Sequence, residues 1–172
     1  DGTVADPTGR GLAALAEKTI GQVTPETLTQ DALRILRMVR FAAELGFTVE
    51  QDTWECAKAH IGGLADISRE RIRDEFVKIL MADTKHGIPG GVLCGLHMLK
   101  DLGAFSYIVP ALTEGDGMEQ NTEYHAYDVL EHSLQACACA PADLVTRLAA
   151  LLHDIGKPAV FRETGKMVGH DK

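Results

Sequence analysis

The chain has 172 residues, of which 45% are hydrophobic and 24% are charged, and its formal net charge is -8. This composition is typical of an ordinary globular protein with a buried core, in one large or two small domains. The negative charge excludes a general attraction to nucleic acid, so a site for a polyanion would have to be a local basic cluster.

The four cysteines form no CxxC pair and no disulfide-framework spacing, which favours a reducing compartment and predicts a cytoplasmic protein. No apolar run approaches the roughly 20 residues that a membrane span needs, so no membrane partner is expected. The sequence begins at Asp1 without a methionine and stops shortly after His170. We therefore expect a fragment of a longer protein.

Helical periodicity dominates the first half of the sequence. The first 25 residues contain two prolines and a Gly-Arg-Gly stretch, and we predict a connector or hinge there. Apolar residues at helical spacing predict an amphipathic helix over about 31–45, which Gly46 ends. A second helix is predicted over about 49–60.

The second half continues in the same way. A helix is expected to start after Ser68 and to include Leu80. The glycine-containing segment 113–122 is polar and predicts a domain boundary. Four further helices are predicted, near 91–101, 104–110, 126–139 and 142–155, the last stopped by Gly156 and Pro158. Since no alternating strand pattern of useful length is present, the predicted class is all-α.

A metal-ligand pattern lies in the C-terminal part, where His132 is followed by the adjacent pair His153-Asp154. Adjacent residues at a helix end point about 100° apart, so both can face one cavity to which a neighbouring antiparallel helix offers His132. Imidazole and carboxylate together suit Mn, Fe, Ni, Co or Mg better than a thiolate zinc site would. Such an ion lowers the pKa of water and polarises a phosphoryl oxygen.

The sequence LLHDIGKP, with Glu131-His132 upstream, resembles the HD superfamily of metal-dependent phosphohydrolases. The resemblance implies that His132, His153 and Asp154 bind the metal, that Asp154 is catalytic, and that Lys157 holds the substrate phosphate. His170 matches a further histidine that contacts a second metal or the substrate in some members. The superfamily's last aspartate has no counterpart in this sequence.

A histidine on a helix is ordinarily a core or surface residue, and that interpretation is kept for His60, His86 and His97. That interpretation applies less well to His132, His153 and Asp154, because their spacing matches that of the superfamily's metal ligands. His125 is expected near the same cavity, as a neighbour of the ligands or facing the substrate.

Asp31, Arg34 and Arg37 follow each other at i, i+3 and i+6, along one polar edge of the 31–45 helix. A carboxylate beside a guanidinium presents acceptors and rigid donors together, as reading the Watson–Crick edge of a nucleobase requires. From spacing alone, an ordinary solvated Asp–Arg pair is the simpler interpretation.

The stretch QDALRILRMVRFAAELGF resembles the motif EDPLRILRAVRFAARLGF of class II tRNA nucleotidyltransferases and poly(A) polymerases. The resemblance implies that Asp31 and Arg34 hydrogen-bond the base of the incoming CTP or ATP. Gln30 stands where the motif has Glu, and Ala32 where it has Pro.

Two further stretches agree with this resemblance. ISRERIRDEFVKIL is similar to the family's neck helix, in which Arg71 and Glu75 would brace the nucleotide pocket. DGTVADPTGRGLAAL resembles the hinge between the catalytic head and the neck. The domains implied are a hinge over 1–25, a helical neck for base recognition and RNA binding over 26–115, and the first helices of an HD domain over 116–172.

The head that would hold Mg²⁺ for nucleotidyl transfer has no match in this sequence, so we expect no transfer by these residues alone. The resemblance implies a CCA-adding enzyme whose partners are the tRNA 3′ end, CTP and ATP. Its HD domain would hydrolyse phosphate esters such as 2′,3′-cyclic phosphates, with Mn, Ni, Co or Mg. A poly(A) polymerase, a stand-alone HD nucleotidase and a non-catalytic RNA-binding module remain alternatives, and the oligomeric state is open.

Overall fold

The protein is described here from a computed structural model that covers residues 5–119 and 127–165. Two 3₁₀ segments, Ile61–Asp66 and Pro110–Gly115, and two two-residue strands, β1 (Thr19–Ile20) and β2 (Thr48–Val49), accompany the helices. The α-helices of the described part are, in chain order, α1 (Gly11–Glu17), α2 (Thr27–Gln30), α3 (Leu33–Leu45), α4 (Gln51–His60), α5 (Arg69–Leu80), α6 (Ala82–His86), α7 (Gly91–Asp101), α8 (Phe105–Ile108), α9 (Val129–Cys139), α10 (Leu144–Leu152) and α11 (Lys157–Thr164). The all-α prediction is confirmed.

Helix α3 is the central element of the fold. Its apolar stripe is buried, with Ile35, Leu36 and Val39 fully inaccessible, and it contacts α5, α6 and α7. Gly46 ends α3 with φ 66°, a left-handed conformation that glycine adopts without steric cost. The predicted end of this helix is therefore confirmed.

The predicted start of α3 is two residues too early. Asp31 is extended, with φ -151°, and its carboxylate accepts the backbone N–H of Leu33 at 3.1 Å. Aspartate side chains commonly satisfy the free N–H groups at helix starts in this way, in competition with helix formation at their own position.

Several short elements were not predicted. Helix α1 lies inside the predicted connector, α6 follows α5 directly, and β1 pairs with β2 in parallel, with Thr19 opposite Thr48. Helix α11 begins after Gly156, and Pro158 lies in its first turn. Proline is favoured there because the N–H that it lacks has no intrahelical partner at that position. The two residues that were expected only to stop a helix thus also lie at the start of the next one.

The C-terminal helices join the same core. Helix α9 contacts α7 and α10, and its residues Leu130 and Leu134 belong to one continuous apolar cluster with Leu36 of α3 and Leu96 of α7. The division at residue 115 into neck and HD domain stays a prediction, and the described residues on its two sides are packed together.

No helix in the described ranges is long and apolar enough to cross a membrane.

Candidate functional sites

The first candidate site lies where α2 ends and α3 begins. Oδ2 of Asp31 accepts a hydrogen bond from Nη2 of Arg71 on α5 at 2.8 Å. Nη1 of Arg34 donates to the carbonyl oxygen of Thr27 at 2.8 Å. Each of the three side chains is thus held by a neighbour, and Asp31 lies between the cations of α3 and α5.

This environment favours the charged carboxylate of Asp31. Partial burial alone would raise the pKa of Asp31, but the hydrogen bonds from Arg71 and from the N–H of Leu33, with the charges of Arg71 and Arg34, hold it below its usual value. Asp31 is therefore ionised at neutral pH and acts only as an acceptor.

Arg37 is not hydrogen-bonded to the other predicted base-site residues in the described part of the chain. Arg37 is exposed, and the described residues include no hydrogen bond from it to Asp31, Arg34 or Arg71. Its place in nucleotide binding remains a prediction.

A buried ion cluster that the sequence did not reveal lies further along α3. Nε of Arg40 donates to Glu75 at 2.7 Å and its Nη1 to Glu44 at 3.0 Å, and all three residues are buried. Glu75, expected to brace the nucleotide pocket together with Arg71, binds Arg40, and its part in the pocket stays a prediction. The available signal was the position of Arg40, which falls on the apolar stripe of α3 between Leu36 and Ala43.

The second candidate site is formed by the predicted metal ligands. One ligand atom of each of His132, His153 and Asp154 lies within 4.8 Å of the others. Helix α9 supplies His132, and the end of the adjacent helix α10 supplies His153 and Asp154. The structure therefore brings together the three side chains that spacing had singled out.

The donor set and its orientation fit a divalent cation. Nε2 of His153 lies 3.1 Å and Nε2 of His132 lies 3.8 Å from Oδ2 of Asp154, which is only 2% exposed. Nδ1 of His153 is 2.7 Å from the carbonyl oxygen of Ala150, to which it can donate only when it carries the proton. That bond favours the tautomer whose Nε2 lone pair is available to an ion, the usual support for a ligating histidine.

Lys157 also reaches this cluster. Its Nζ lies 2.7 Å from Oδ2 of Asp154, and its side chain is 9% exposed. The predicted phosphate-holding cation is therefore next to the predicted metal ligands.

The remaining histidines are placed as follows. His125 and His170 lie outside the described residues, so their predicted roles stay predictions. His97 contacts Glu131 at 2.9 Å, and His60 contacts the backbone oxygen of its own helix at 2.8 Å. Both agree with the ordinary interpretation given to them.

A second buried arginine links α10 to α5 and α6. Arg147 is 1% exposed; it donates to both carboxylate oxygens of Asp83, at 2.7 and 2.6 Å, and to the carbonyl oxygen of Leu80 at 2.6 Å. It falls on the apolar stripe of α10, between Leu144 and Leu151, which was the available signal for a buried charge.

Comparison with known proteins shows which proteins this chain resembles. Residues 46–115 match the family described as "Probable RNA and SrmB- binding site of polymerase A". The solved structure titled "Crystal structure of tRNA nucleotidyltransferase complexed with a primer tRNA and an incoming ATP analog" shares the fold, with a TM-score of 0.63 and 24% identity, over 94% of this chain and 46% of that one.

Two curated relatives are more similar in sequence. The "A-adding tRNA nucleotidyltransferase" of Deinococcus radiodurans is 34% identical, over 98% of this chain and 40% of the relative. The "Multifunctional CCA protein" of Neisseria gonorrhoeae is 34% identical, over 91% of this chain and 38% of the relative. The chain thus spans about two fifths of the length of these relatives. This chain is therefore similar in sequence to a part of tRNA nucleotidyltransferases.

Proposed function

We propose that this chain forms the base-selecting helical part of a tRNA nucleotidyltransferase that completes the tRNA 3′ end from CTP and ATP. The observation that carries the proposal is the pair Asp31 and Arg34, fixed by Arg71 and Thr27 at the start of α3. The similarity to tRNA nucleotidyltransferases over nearly the whole chain supports it.

The chemistry of the four bases explains how such a pair selects. Cytosine and adenine each present an exocyclic amino group beside a ring nitrogen that accepts, whereas uracil and guanine present a carbonyl beside a ring N–H. The ionised carboxylate of Asp31 accepts from the amino group, and Arg34 donates to the ring nitrogen or its neighbour. UTP and GTP would set acceptor against acceptor and donor against donor, which costs the desolvation of unpaired groups.

The triphosphate and the attacking 3′ hydroxyl lie outside this assignment. Mg²⁺ for the transfer would be held by carboxylates of a catalytic head that has no match in these 172 residues. The contribution proposed for this chain is recognition of the base and of the RNA.

The test is nucleotide binding by the 172-residue chain, measured by NMR chemical-shift perturbation. We expect CTP and ATP to shift the resonances of Asp31 and Arg34 while UTP and GTP do not. Arg34→Ala should remove this discrimination, whereas Arg73→Ala, which alters an exposed arginine paired with Asp74, should keep it. Unchanged discrimination in Arg34→Ala would overturn the assignment, and binding of ATP without CTP would favour an A-adding enzyme or a poly(A) polymerase.

A second activity is proposed for the cluster of His132, His153 and Asp154, on the specific observation that all three ligand atoms converge. We infer a metal-dependent phosphohydrolase site of the HD type, acting on 2′,3′-cyclic phosphates or related esters. A bound Mn, Ni, Co or Mg ion supplies a nucleophilic hydroxide and polarises the phosphoryl group. Lys157 provides the cation nearest to the ligands.

Hydrolysis of a 2′,3′-cyclic nucleotide with added Mn²⁺ or Ni²⁺ tests this second activity. Asp154→Asn should abolish turnover while leaving the CTP response of Asp31 and Arg34 intact, since the two clusters share no residue. Glu114→Gln, in an exposed pair with Arg162, is the matched control and should retain turnover. Absence of both hydrolysis and metal binding would favour a non-catalytic RNA-binding module, and hydrolysis without nucleotide binding would favour a stand-alone HD nucleotidase.

A further inference from the structure

Lys157, which is proposed to bind the substrate phosphate, is bonded here to one of the candidate metal ligands. Its ammonium group bonds Oδ2 of Asp154, the same oxygen that lies nearest to Nε2 of His153 and of His132. The lone pairs of that oxygen are the ones that a cation bound by all three ligands would use. The ammonium group of Lys157 therefore already provides a positive charge beside the oxygen that would bind the cation.

The local backbone holds this arrangement in place. The N–H of Lys157 donates to the carbonyl oxygen of Asp154 at 3.0 Å, and Pro158 is buried behind it at the start of α11. Both the carboxylate and the lysine stem are almost fully buried, at 2% and 9% exposure of the side chain. A buried carboxylate needs a compensating charge, and Lys157 supplies it.

An ammonium group and a divalent cation compete for one buried carboxylate oxygen, because their mutual repulsion is only weakly screened there. The lysine side chain has a flexible stem of four carbons, so its ammonium group can move while the backbone stays in place. Entry of a cation would therefore exchange the ammonium for the ion while α11 stays in position.

We propose that Lys157 is an exchangeable surrogate cation, which neutralises Asp154 until a divalent ion displaces it and is then released to bind the substrate phosphate. The proposal rests on the HD-type site proposed above. It makes Lys157 a positioning residue that couples two ligands: the ion releases the ammonium, and phosphate captures it. By linkage, phosphate then strengthens ion binding by the same factor by which the ion strengthens phosphate binding.

The experiment is isothermal titration of the 172-residue chain with Mn²⁺, with and without inorganic phosphate. In the absence of phosphate, Lys157→Met should bind Mn²⁺ about tenfold more tightly than the wild type, because the ion does not have to displace the ammonium group of Lys157. Phosphate should raise the Mn²⁺ affinity of the wild type by a similar factor and leave that of Lys157→Met unchanged. A Lys157→Gln variant repeats the comparison with a polar side chain.

Lys78→Met is the matched control, because Lys78 bonds Glu75 at 3.0 Å with the same i, i+3 spacing but outside the ligand cluster. It should bind Mn²⁺ as the wild type does, and addition of His132→Ala to Lys157→Met should remove the tight binding. Equal or weaker Mn²⁺ binding by both Lys157 variants, beside a wild type that binds, would overturn the surrogate role and leave the metal site standing. Failure of every variant to bind Mn²⁺ would overturn the metal site as well.

Discussion

At the scale of single residues, Arg147 is notable because a guanidinium occupies a core position. Its burial is tolerated because Asp83 accepts from both of its terminal nitrogens and Leu80 accepts a further bond. Such a pair adds little net stability relative to apolar residues of similar volume, yet loss of one partner is costly, since the other charge stays buried.

Asp83→Asn is therefore expected to lower the free energy of unfolding by about 3 kcal/mol. Asp74→Asn, which alters an exposed pair with Arg73, should cost less than about 1 kcal/mol. Urea denaturation of both variants and the wild type measures the difference. Equal effects of the two substitutions would contradict the buried character of the Arg147 pair.

The same pair has a defined pH dependence. The hydrogen bonds and charge of Arg147 hold the pKa of Asp83 below its usual 3.8, although partial burial acts in the opposite direction. A lowered folded-state pKa contributes stability that is present above the unfolded pKa and is lost as the pH falls through the folded one. The gap between wild type and Asp83→Asn should accordingly be constant at neutral pH and close below about pH 4.

At the residue level, spacing in the sequence predicted which candidate side chains lie close together, and their chemical roles stay predictions. His132 and the His153-Asp154 pair converge in the structure, and Asp31 and Arg34 lie at one helix start. The partners that Arg40 and Arg147 find on other helices, Glu75 and Asp83, could not be predicted from local spacing. Only the packing of those helices decides which carboxylate meets which guanidinium.

At the scale of elements, the contact between α3 and α7 depends on two small residues of α7. A Cβ added at Gly91 would lie 2.5 Å from the backbone oxygen of Ala43, and one at Gly95 would lie 3.2 Å from Cβ of Ala43 and 2.8 Å from Cγ2 of Ile79 on α5. Alanine is intrinsically the better helix former, so only this close approach explains why glycine fits at both positions.

Gly91→Ala is expected to destabilise the protein by about 2 kcal/mol, since α7 must move away from a backbone atom that cannot rotate aside. Gly62→Ala is the control: its added Cβ would lie 3.6 Å from the hydroxyl oxygen of Tyr107, an ordinary contact, and the change should stay within about 0.5 kcal/mol. Thermal denaturation of the two variants decides the matter, and a stabilised Gly91→Ala would refute the close contact.

The elements that the sequence predicted are the long amphipathic helices, of which α3, α5 and α7 are examples. Their apolar spacing records the face that they bury. The elements that were missed are only two to eight residues long, and such segments contain too few repeats to define a period. The β1–β2 pair is formed by residues far apart in sequence, so no local pattern could indicate it.

At the scale of the whole molecule, the continuous core joins the two predicted functions. Leu151, which precedes His153 on α10, belongs to the same apolar cluster as Leu36, which follows Arg34 on α3. A change at either candidate site thus acts on a shared scaffold. For this reason the experiments above use exposed-pair controls and read both activities in one chain.

The central position of α3 has a consequence for residues 46–115, the segment that the family model matches. Residues 46–115 carry the match, yet α3 ends just before them and supplies the apolar face against which α5, α6 and α7 lie. If residues 46–115 were produced alone, the glycine-containing face of α7 and the buried face of α5 would be exposed to water. The matched segment is therefore smaller than the unit that folds, and a chimera that exchanges residues 46–115 between two related chains would have to exchange α3 with them.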